Sequence, residues 1–485
     1  MRKALSICLA VLALALLSFA LRSSDDVAGS PLTEDGYYAL SVARNLADGN
    51  GLTIDGTQST NGFQPAFTVA MAVAFIGSGS VETSLRIVLL LHWLVFIATA
   101  FVIGLIARDL FGSDTDEGRL AQLLAPVLFL SGLFTIQVGF NGLETGALLL
   151  GYALAWRYAQ THDLGGVRHL AVFGVILGLV VLVRVDAVFF VVAASAAVAW
   201  RWTVRRGALL AGVAAAVSSP WWIYNAVIFG SLVPTSGTSQ THWELSTSRL
   251  WEGVRGLAVG AVPWLASNKI DQHLTLLRPV ITVVGVVAVV RLVRRRAMLV
   301  AERRTWEFAS VLGVTYLALT AWYLMSSYAT HFYGRYLVPV VLVVVMGATV
   351  VAITHLRRLI GVGSILATVV AASAVLGLFH SNLDPRNPML DEQVALVEAV
   401  VPPGETVAAK QSGTLGFFRS DVVNLDGKVN PDALEARGDL PAYISRIGVR
   451  WLCDWDAVVE RIVAADDEVW TPVDRRGTFV CWYRQ

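Results

Sequence analysis

Glu34 and Asp35 are adjacent carboxylates in TEDGYYALSVARNLADGNGLTIDGTQSTNGFQP, residues 33–65, which follows directly on an apolar segment, residues 4–21. The stretch is too polar to lie in hydrocarbon. Its acids, Glu34, Asp35, Asp48 and Asp55, outnumber its one base, Arg44, and no base stands within four residues of the pair. Two carboxylates that close either share a proton, with one pKa raised, or bind a cation. Tyr37, Tyr38, Leu40, Val42, Ala43 and Leu46 recur at helical spacing and predict an amphipathic helix over residues 35–47, lying along a membrane surface. Gly49, Asn50 and Gly51 end it. The pattern therefore places acid–base or cation-binding groups at a water–lipid boundary.

The elements that must hold this pair are membrane spans. Of the 485 residues, 55% are hydrophobic and only 15% charged, against about a quarter in soluble domains. A net charge of +1 gives no support to nucleic-acid binding driven by bulk charge. Residues 4–21 predict a first transmembrane helix with a basic start. Ser18-Phe19-Ala20 resembles a signal-peptide cleavage site, but the apolar run is long for one. Residues 66–76 are too few to span and read as a re-entrant or surface helix. Further spans are expected over residues 85–107, 120–137, 145–158, 170–183, 187–202, 208–229, 279–293, 308–326, 336–354 and 359–379. With the first, these predict an α-helical polytopic membrane protein of about eleven helices.

Bases cluster on alternate loops: Arg2/Lys3, Arg108/Arg119, Arg157/Arg168, Arg201/Arg205/Arg206, the run at 291–304, and Arg357/Arg358. The positive-inside rule puts these in the cytoplasm and the loops between them outside, including a first external loop over residues 22–84. That topology brings Glu34, Asp35, Asn61, Gln64, Asn141, Glu144, Arg184, Asp186, Thr235, Ser236, His331 and Arg335 to one face. Polar groups at such depths are expensive and are usually kept for function. Each also has a plainer reading. Arg184 and Asp186 suit an ion pair that closes a helix turn, Glu144 a helix N-cap, and Arg335 snorkelling to headgroups. From residue 381 charge, Pro and Gly return, and short helical and strand-like runs alternate. This predicts a membrane domain over residues 1–380 and an external α/β domain over 381–485. Cys453 and Cys481 suit a disulfide if this part is outside the cytoplasm; two buried thiols are the alternative, and Cys8 lies in the first span.

The acid-pair stretch, followed by TNGFQP, NGLETG, RVDA, FGSLVPTS and YGRYLVP, resembles the GT-C superfamily of integral-membrane glycosyltransferases over nearly the whole chain. The motif order is similar to the protein O-mannosyltransferase and aminoarabinose-transferase group, and closer to the branch with mycobacterial terminal arabinofuranosyltransferases. The resemblance implies a sugar moved from a polyprenyl-phosphate donor to an acceptor hydroxyl on a glycan, lipid or protein. It implies a bacterial cytoplasmic (inner) membrane with the active face outward. Glu34 or Asp35 would take the acceptor proton or hold a divalent cation such as Mg²⁺ or Mn²⁺. Arg335, with Arg184 second, would bind the lipid phosphate. Asn61, Gln64, Asn141, Glu144, Asp186 and His331 would line the substrate site. One departure is TSGTSQTHW after FGSLVP, where many relatives have a Pro-Asn start and a later Lys.

The chemistry is coherent, because a sugar phosphate is an activated leaving group. It needs a base at the acceptor and positive charge or metal at the phosphate, and a single displacement inverts the anomeric centre. Rival readings are a transporter or lipid-linked-sugar flippase, an O-antigen-polymerase-type enzyme and a scaffolding protein. A transporter commonly keeps its charges at the midplane between repeats. This chain has them at one face and shows no repeat.

Overall fold

The structure is a computed structural model that describes residues 1–244, 246–250, 260–264, 300–327, 333–378 and 389–485. The predicted span at 279–293 and His331 lie outside the described residues. The rest is mostly helical, with a small sheet near the C-terminus.

Among the described residues five helices are long and apolar enough to cross a membrane: Arg2–Leu21, Val81–Phe111, Val204–Phe229, Arg303–Ser326 and Arg357–Gly377. Val167–Val183 and Pro339–His355 are apolar but shorter. Val81–Phe111 shows how the sequence sets such an element. The Ser80 hydroxyl accepts from Thr83 N at 3.2 Å, Glu82 sits in the first turn and Arg108 in the last, so both ends suit the helix dipole. At 31 residues it is about 46 Å long, well beyond the roughly 30 Å of a hydrocarbon core.

The stretch expected as one span over 120–137 is bent. Asp116–Leu130 and Leu133–Gly139 meet at 68°, and together they would make a sixth crossing. Ser131 and Gly132 form the joint, with Gly132 at the N-cap of the second piece. A residue-by-residue hydropathy reading cannot see this break, because both pieces are apolar. The helix after the first long loop, Pro65–Ala72, has eight residues and cannot span.

Ion pairs gather at the end of the bundle away from the acid pair. Arg2 meets Asp116, Arg157 and Arg108 share Asp109, and Arg357 meets Glu117. Four of the base-rich loop segments therefore lie at one end.

The C-terminal sheet has five strands: β1 (Val407–Ala409), β2 (Val422–Asn424), β3 (Trp451–Trp455), β4 (Trp470–Arg476) and β5 (Phe479–Arg484). Their order is β2-β1-β3-β5-β4. β1 runs parallel to β2 and β3, while β5 is antiparallel to both β3 and β4. One apolar layer holds Ala408, Leu452, Ile444 and Val459; the other holds Val407, Val397, Leu415 and Phe479. The two-residue alternation of Leu452, Cys453 and Asp454 explains how one strand feeds both. Asp454, buried at the end of β3, ties the sheet to the next loop by accepting from Lys410 N and Gln411 N.

Cys453 and Cys481 stand opposite each other on β3 and β5, Cα atoms 4.2 Å apart, and are joined by a disulfide. Cys8 is free and buried. The crosslink closes a loop of sequence separation 28, which by loop-closure entropy contributes about 3.5 kcal/mol. Cys481→Ala in the full chain is expected to lower the unfolding midpoint of this sheet by several degrees. Protection of β3 and β5 amides in hydrogen exchange checks this, and unchanged protection would contradict it.

Candidate active site

The first loop folds back so that Glu34–Ala47 is a helix, one residue longer at its start than the spacing predicts. It does not lie open on a surface. Gly36 through Ala43 are all buried, because the C-terminal unit covers the face that the sequence alone would leave to water. Tyr37 packs against Phe417 and Phe418, with ring centroids 4.9 and 5.7 Å away. The Arg44 guanidinium donates to Phe417 O at 2.8 Å and lies over that ring.

At the N-terminus of this helix the two acids part company. The Glu34 carboxylate accepts from Gly413 N, from Thr414 N at 2.8 Å and from the Thr414 hydroxyl at 2.6 Å. It is a clasp between the first loop and the C-terminal unit. A Cβ on Gly413 would lie 2.3 Å from Glu34 O, so glycine is what permits this approach. Burial pushes the Glu34 carboxyl up to about 6, against the pull of the Thr414 and Gly413 bonds.

Asp35 takes two cations instead. Lys428 Nζ lies 3.2 Å from Oδ1 and Arg335 Nη1 3.3 Å from Oδ2. Burial raises the Asp35 carboxyl, but the Lys428 and Arg335 charges overcome it and hold it at about 2. Burial lowers the Lys428 ammonium, and Asp35 and Asp426 more than reverse that. Asp426 is 3.4 Å away on the same turn.

Lys428 was not singled out by the sequence, and it comes from 393 residues downstream. One signal was available. Lysines are only four of the 37 bases (Lys3, Lys269, Lys410, Lys428), and this one stands in an Asp-Gly-Lys turn.

The predicted amides brace this centre. Asn61 Nδ2 donates to Asn225 at 2.9 Å, and its Oδ1 accepts from Thr235 N at 3.0 Å. The Thr235 hydroxyl lies 2.8 Å from Asn61 Oδ1 and 2.9 Å from Lys428 O. Beside it Gly62 runs so close to the Lys428 backbone that a Cβ would lie 1.9 Å from Lys428 O. The Asn141 carbonyl accepts from Thr33 N and its hydroxyl, and the Asn141 amide oxygen accepts from Leu143 N. Gln64 Oε1 accepts from Val185 N at 2.9 Å.

Arg184, Glu144 and Asp186 form a second cluster. Arg184 Nη1 donates to Glu144 at 2.7 Å and Nε to Asp186 at 2.8 Å, while the Tyr323 hydroxyl donates to Asp186 at 2.6 Å. Glu144 sits at the N-cap position of Thr145–Thr161 but makes no capping bond; its charge goes to Arg184. Tyr336 joins the clusters, since Arg184 and Arg335 both lie over its ring, at 4.9 and 5.2 Å. Arg184 has two acids against it and is 4% exposed. Arg335 and Lys428 share Asp35, and Lys428 also meets Asp426.

The acid pair does not fit a divalent cation. Such ions take about six oxygen ligands, yet Glu34 is spent on the clasp and Asp35 already faces two fixed positive charges. Among the described residues no group of three or more His, Cys, Asp or Glu is set to hold a metal.

No protein-family model and no curated protein sequence matches this chain. Solved structures do. ArnT from Cupriavidus metallidurans bound to undecaprenyl phosphate superposes with a TM-score of 0.59 at 12% identity, covering 99% of this chain and 97% of that one. The archaeal oligosaccharyltransferase AglB from Archaeoglobus fulgidus, in complex with an inhibitory peptide and a dolichol-phosphate, gives 0.51 at 13% identity over 95% of this chain and 71% of that one. A crystal structure of the Archaeoglobus fulgidus oligosaccharyltransferase with Zn and sulfate gives 0.52 at 14% identity over 97% and 72%. ArnT and AglB are GT-C membrane glycosyltransferases, and this chain has their fold.

The raised Glu34 pKa has a sign that can be tested. A carboxyl lifted from 4.5 to about 6 contributes stability below its unfolded pKa and loses it as pH rises through 6. Relative to Glu34→Gln, the wild-type clasp is expected to lose about 1.5 kcal/mol between pH 4.5 and pH 8. Protease susceptibility of the junction between first loop and C-terminal unit reads this out. A difference that does not change with pH would mean that Glu34 does not titrate there.

Proposed function

We propose that the protein is a membrane glycosyltransferase that moves a sugar from a polyprenyl-phosphate donor to an acceptor hydroxyl. The observation that carries this is one partly buried carboxylate, Asp35, set against two cations, Arg335 and Lys428, at one end of a GT-C bundle. Transfer needs a base at the acceptor and positive charge at the departing phosphate, and this centre has both. The solved neighbours hold undecaprenyl phosphate and a dolichol-phosphate.

In this reading Asp35 takes the acceptor proton, and Arg335 with Lys428 binds the donor phosphate. Glu34 fastens the C-terminal unit. The Glu144–Arg184–Asp186 cluster supports Arg335 through Tyr336. Asn61, Gln64 and Asn141 position the loops, and the acceptor, whether glycan, lipid or protein, enters beside Asp35. One displacement inverts the sugar. Residues 1–380 form the catalytic membrane part and residues 381–485 an extracytoplasmic α/β unit that completes the site. The base-rich helix ends face the cytoplasm of a bacterial inner membrane. The Cys453–Cys481 disulfide supports the opposite side for the C-terminal unit, since such bonds persist outside reducing compartments.

A transporter or flippase would also carry buried charges, but its site commonly lies near the midplane. Here the charges sit at helix termini: Glu144 precedes Thr145–Thr161, Arg184 follows Val167–Val183, and Arg335 precedes Pro339–His355.

Transfer from radiolabelled polyprenyl-phosphate sugars in membranes tests the reading. Asp35→Asn is expected to lose at least about 100-fold in rate, the usual worth of a general base. Glu34→Gln is expected to retain measurable transfer. Wild-type membranes that consume no donor from a broad sugar panel, or Asp35→Asn turning over like wild type, would remove the reading's support.

A further inference from the structure

The resting site poses a problem for its own chemistry. A carboxylate clamped between an ammonium and a guanidinium is a poor proton acceptor, because both cations stabilise its ionised form. The same two cations are the ones a donor phosphate needs. We propose that Asp35 and the donor phosphate compete for Lys428 and Arg335, so that donor binding unlocks the base: the phosphate takes the two cations and leaves Asp35 free to accept the acceptor proton.

The geometry allows this exchange without moving the backbone. The carbonyl of Lys428 is held by Thr235 and its main chain is pressed against Gly62. Its ammonium, by contrast, sits at the end of a four-carbon stem with contacts of 3.2 Å to Asp35 and 3.4 Å to Asp426. Asp426 keeps the ammonium charged and near when Asp35 lets go. The low pKa of Asp35 in the resting site is what a parked base would show.

The charges balance through the reaction. A polyprenyl-phosphate sugar is a phosphodiester with one negative charge. With donor bound, the two cations face three anionic groups, Asp35, Asp426 and the phosphodiester. In the transfer the acceptor O–H bond breaks and its proton goes to Asp35. The acceptor oxygen bonds to the anomeric carbon as the carbon–oxygen bond to phosphate breaks. The electron pair stays on the phosphate oxygen, and the lipid phosphate leaves as a dianion. Asp35 has lost the charge that the phosphate has gained, so the total negative charge facing the cations is unchanged. The base is unlocked only in the presence of donor, which sets the order: donor first, acceptor second.

The inference rests on the donor reading above, so its test separates the two. The probe is the methyl diester of undecaprenyl phosphate, which keeps one negative charge across the working pH range. It is titrated into the full chain in nanodiscs. Asp35→Asn, which removes the competitor, is expected to bind the probe at least about tenfold more tightly than wild type, and Lys428→Met at least about tenfold more weakly. In wild type at pH 4.5, binding is expected to be accompanied by proton uptake, read as a heat that varies with buffer ionisation enthalpy. This second measurement stands even if the Asp35 variant fails to fold. No binding of the probe to wild type would overturn the donor reading itself. Binding without proton uptake, together with an Asp35→Asn affinity no tighter than wild type, would overturn the lock and leave the donor reading intact.

Discussion

The arrangement depends on one partly buried ion triplet, Asp35 between Lys428 and Arg335. Its members come from the first loop, the helical segment before Pro339–His355, and the C-terminal unit. None of the three tolerates burial alone. An ion buried without a partner costs several kcal/mol, and breaking a buried pair typically costs about 3–5 kcal/mol. The triplet thus binds distant parts of the chain into one geometry.

Around it, the structure spends other side chains on precision of placement. Glu34 closes on Gly413 and Thr414, Gly62 admits the Lys428 backbone, and Thr235 and Asn61 hold the same turn. The Asp186–Arg184–Glu144 cluster does the equivalent for Arg335 through the Tyr336 ring. The adjacent carboxylates consequently have opposite electrostatics. Burial dominates at Glu34, whereas neighbouring charge dominates at Asp35. Their shared sequence motif conceals two different surroundings.

Much of this was legible in the sequence, for physical reasons that differ by element. The helix over Glu34–Ala47 followed from the spacing of its apolar residues, and the mixed C-terminal unit from the alternation of short helical and strand-like runs after residue 381. The gathering of Glu144, Arg184 and Asp186 followed from loop charge, because bases fix which helix ends share a side. Local patterns do not encode what covers a helix from outside. The closure of the Gly413–Phe418 helix over Tyr37 is a long-range packing event, as is the arrival of Lys428 beside Asp35. The bend between Asp116–Leu130 and Leu133–Gly139 was hidden because the apolar run continues across the joint. The disulfide was open in the sequence and became definite only with the register that sets Cys453 opposite Cys481.

The central claim is that the C-terminal unit supplies part of the reaction centre, and that its lysine passes from Asp35 to the donor. The most direct measurement is an electron cryomicroscopy structure of the full chain in nanodiscs with bound undecaprenyl phosphate. The account expects the phosphate between Lys428 Nζ and Arg335, with Asp35 no longer in contact with either cation and Glu34 still on Gly413 and Thr414. A phosphate seated elsewhere, with the Lys428–Asp35–Arg335 triplet intact, would contradict it.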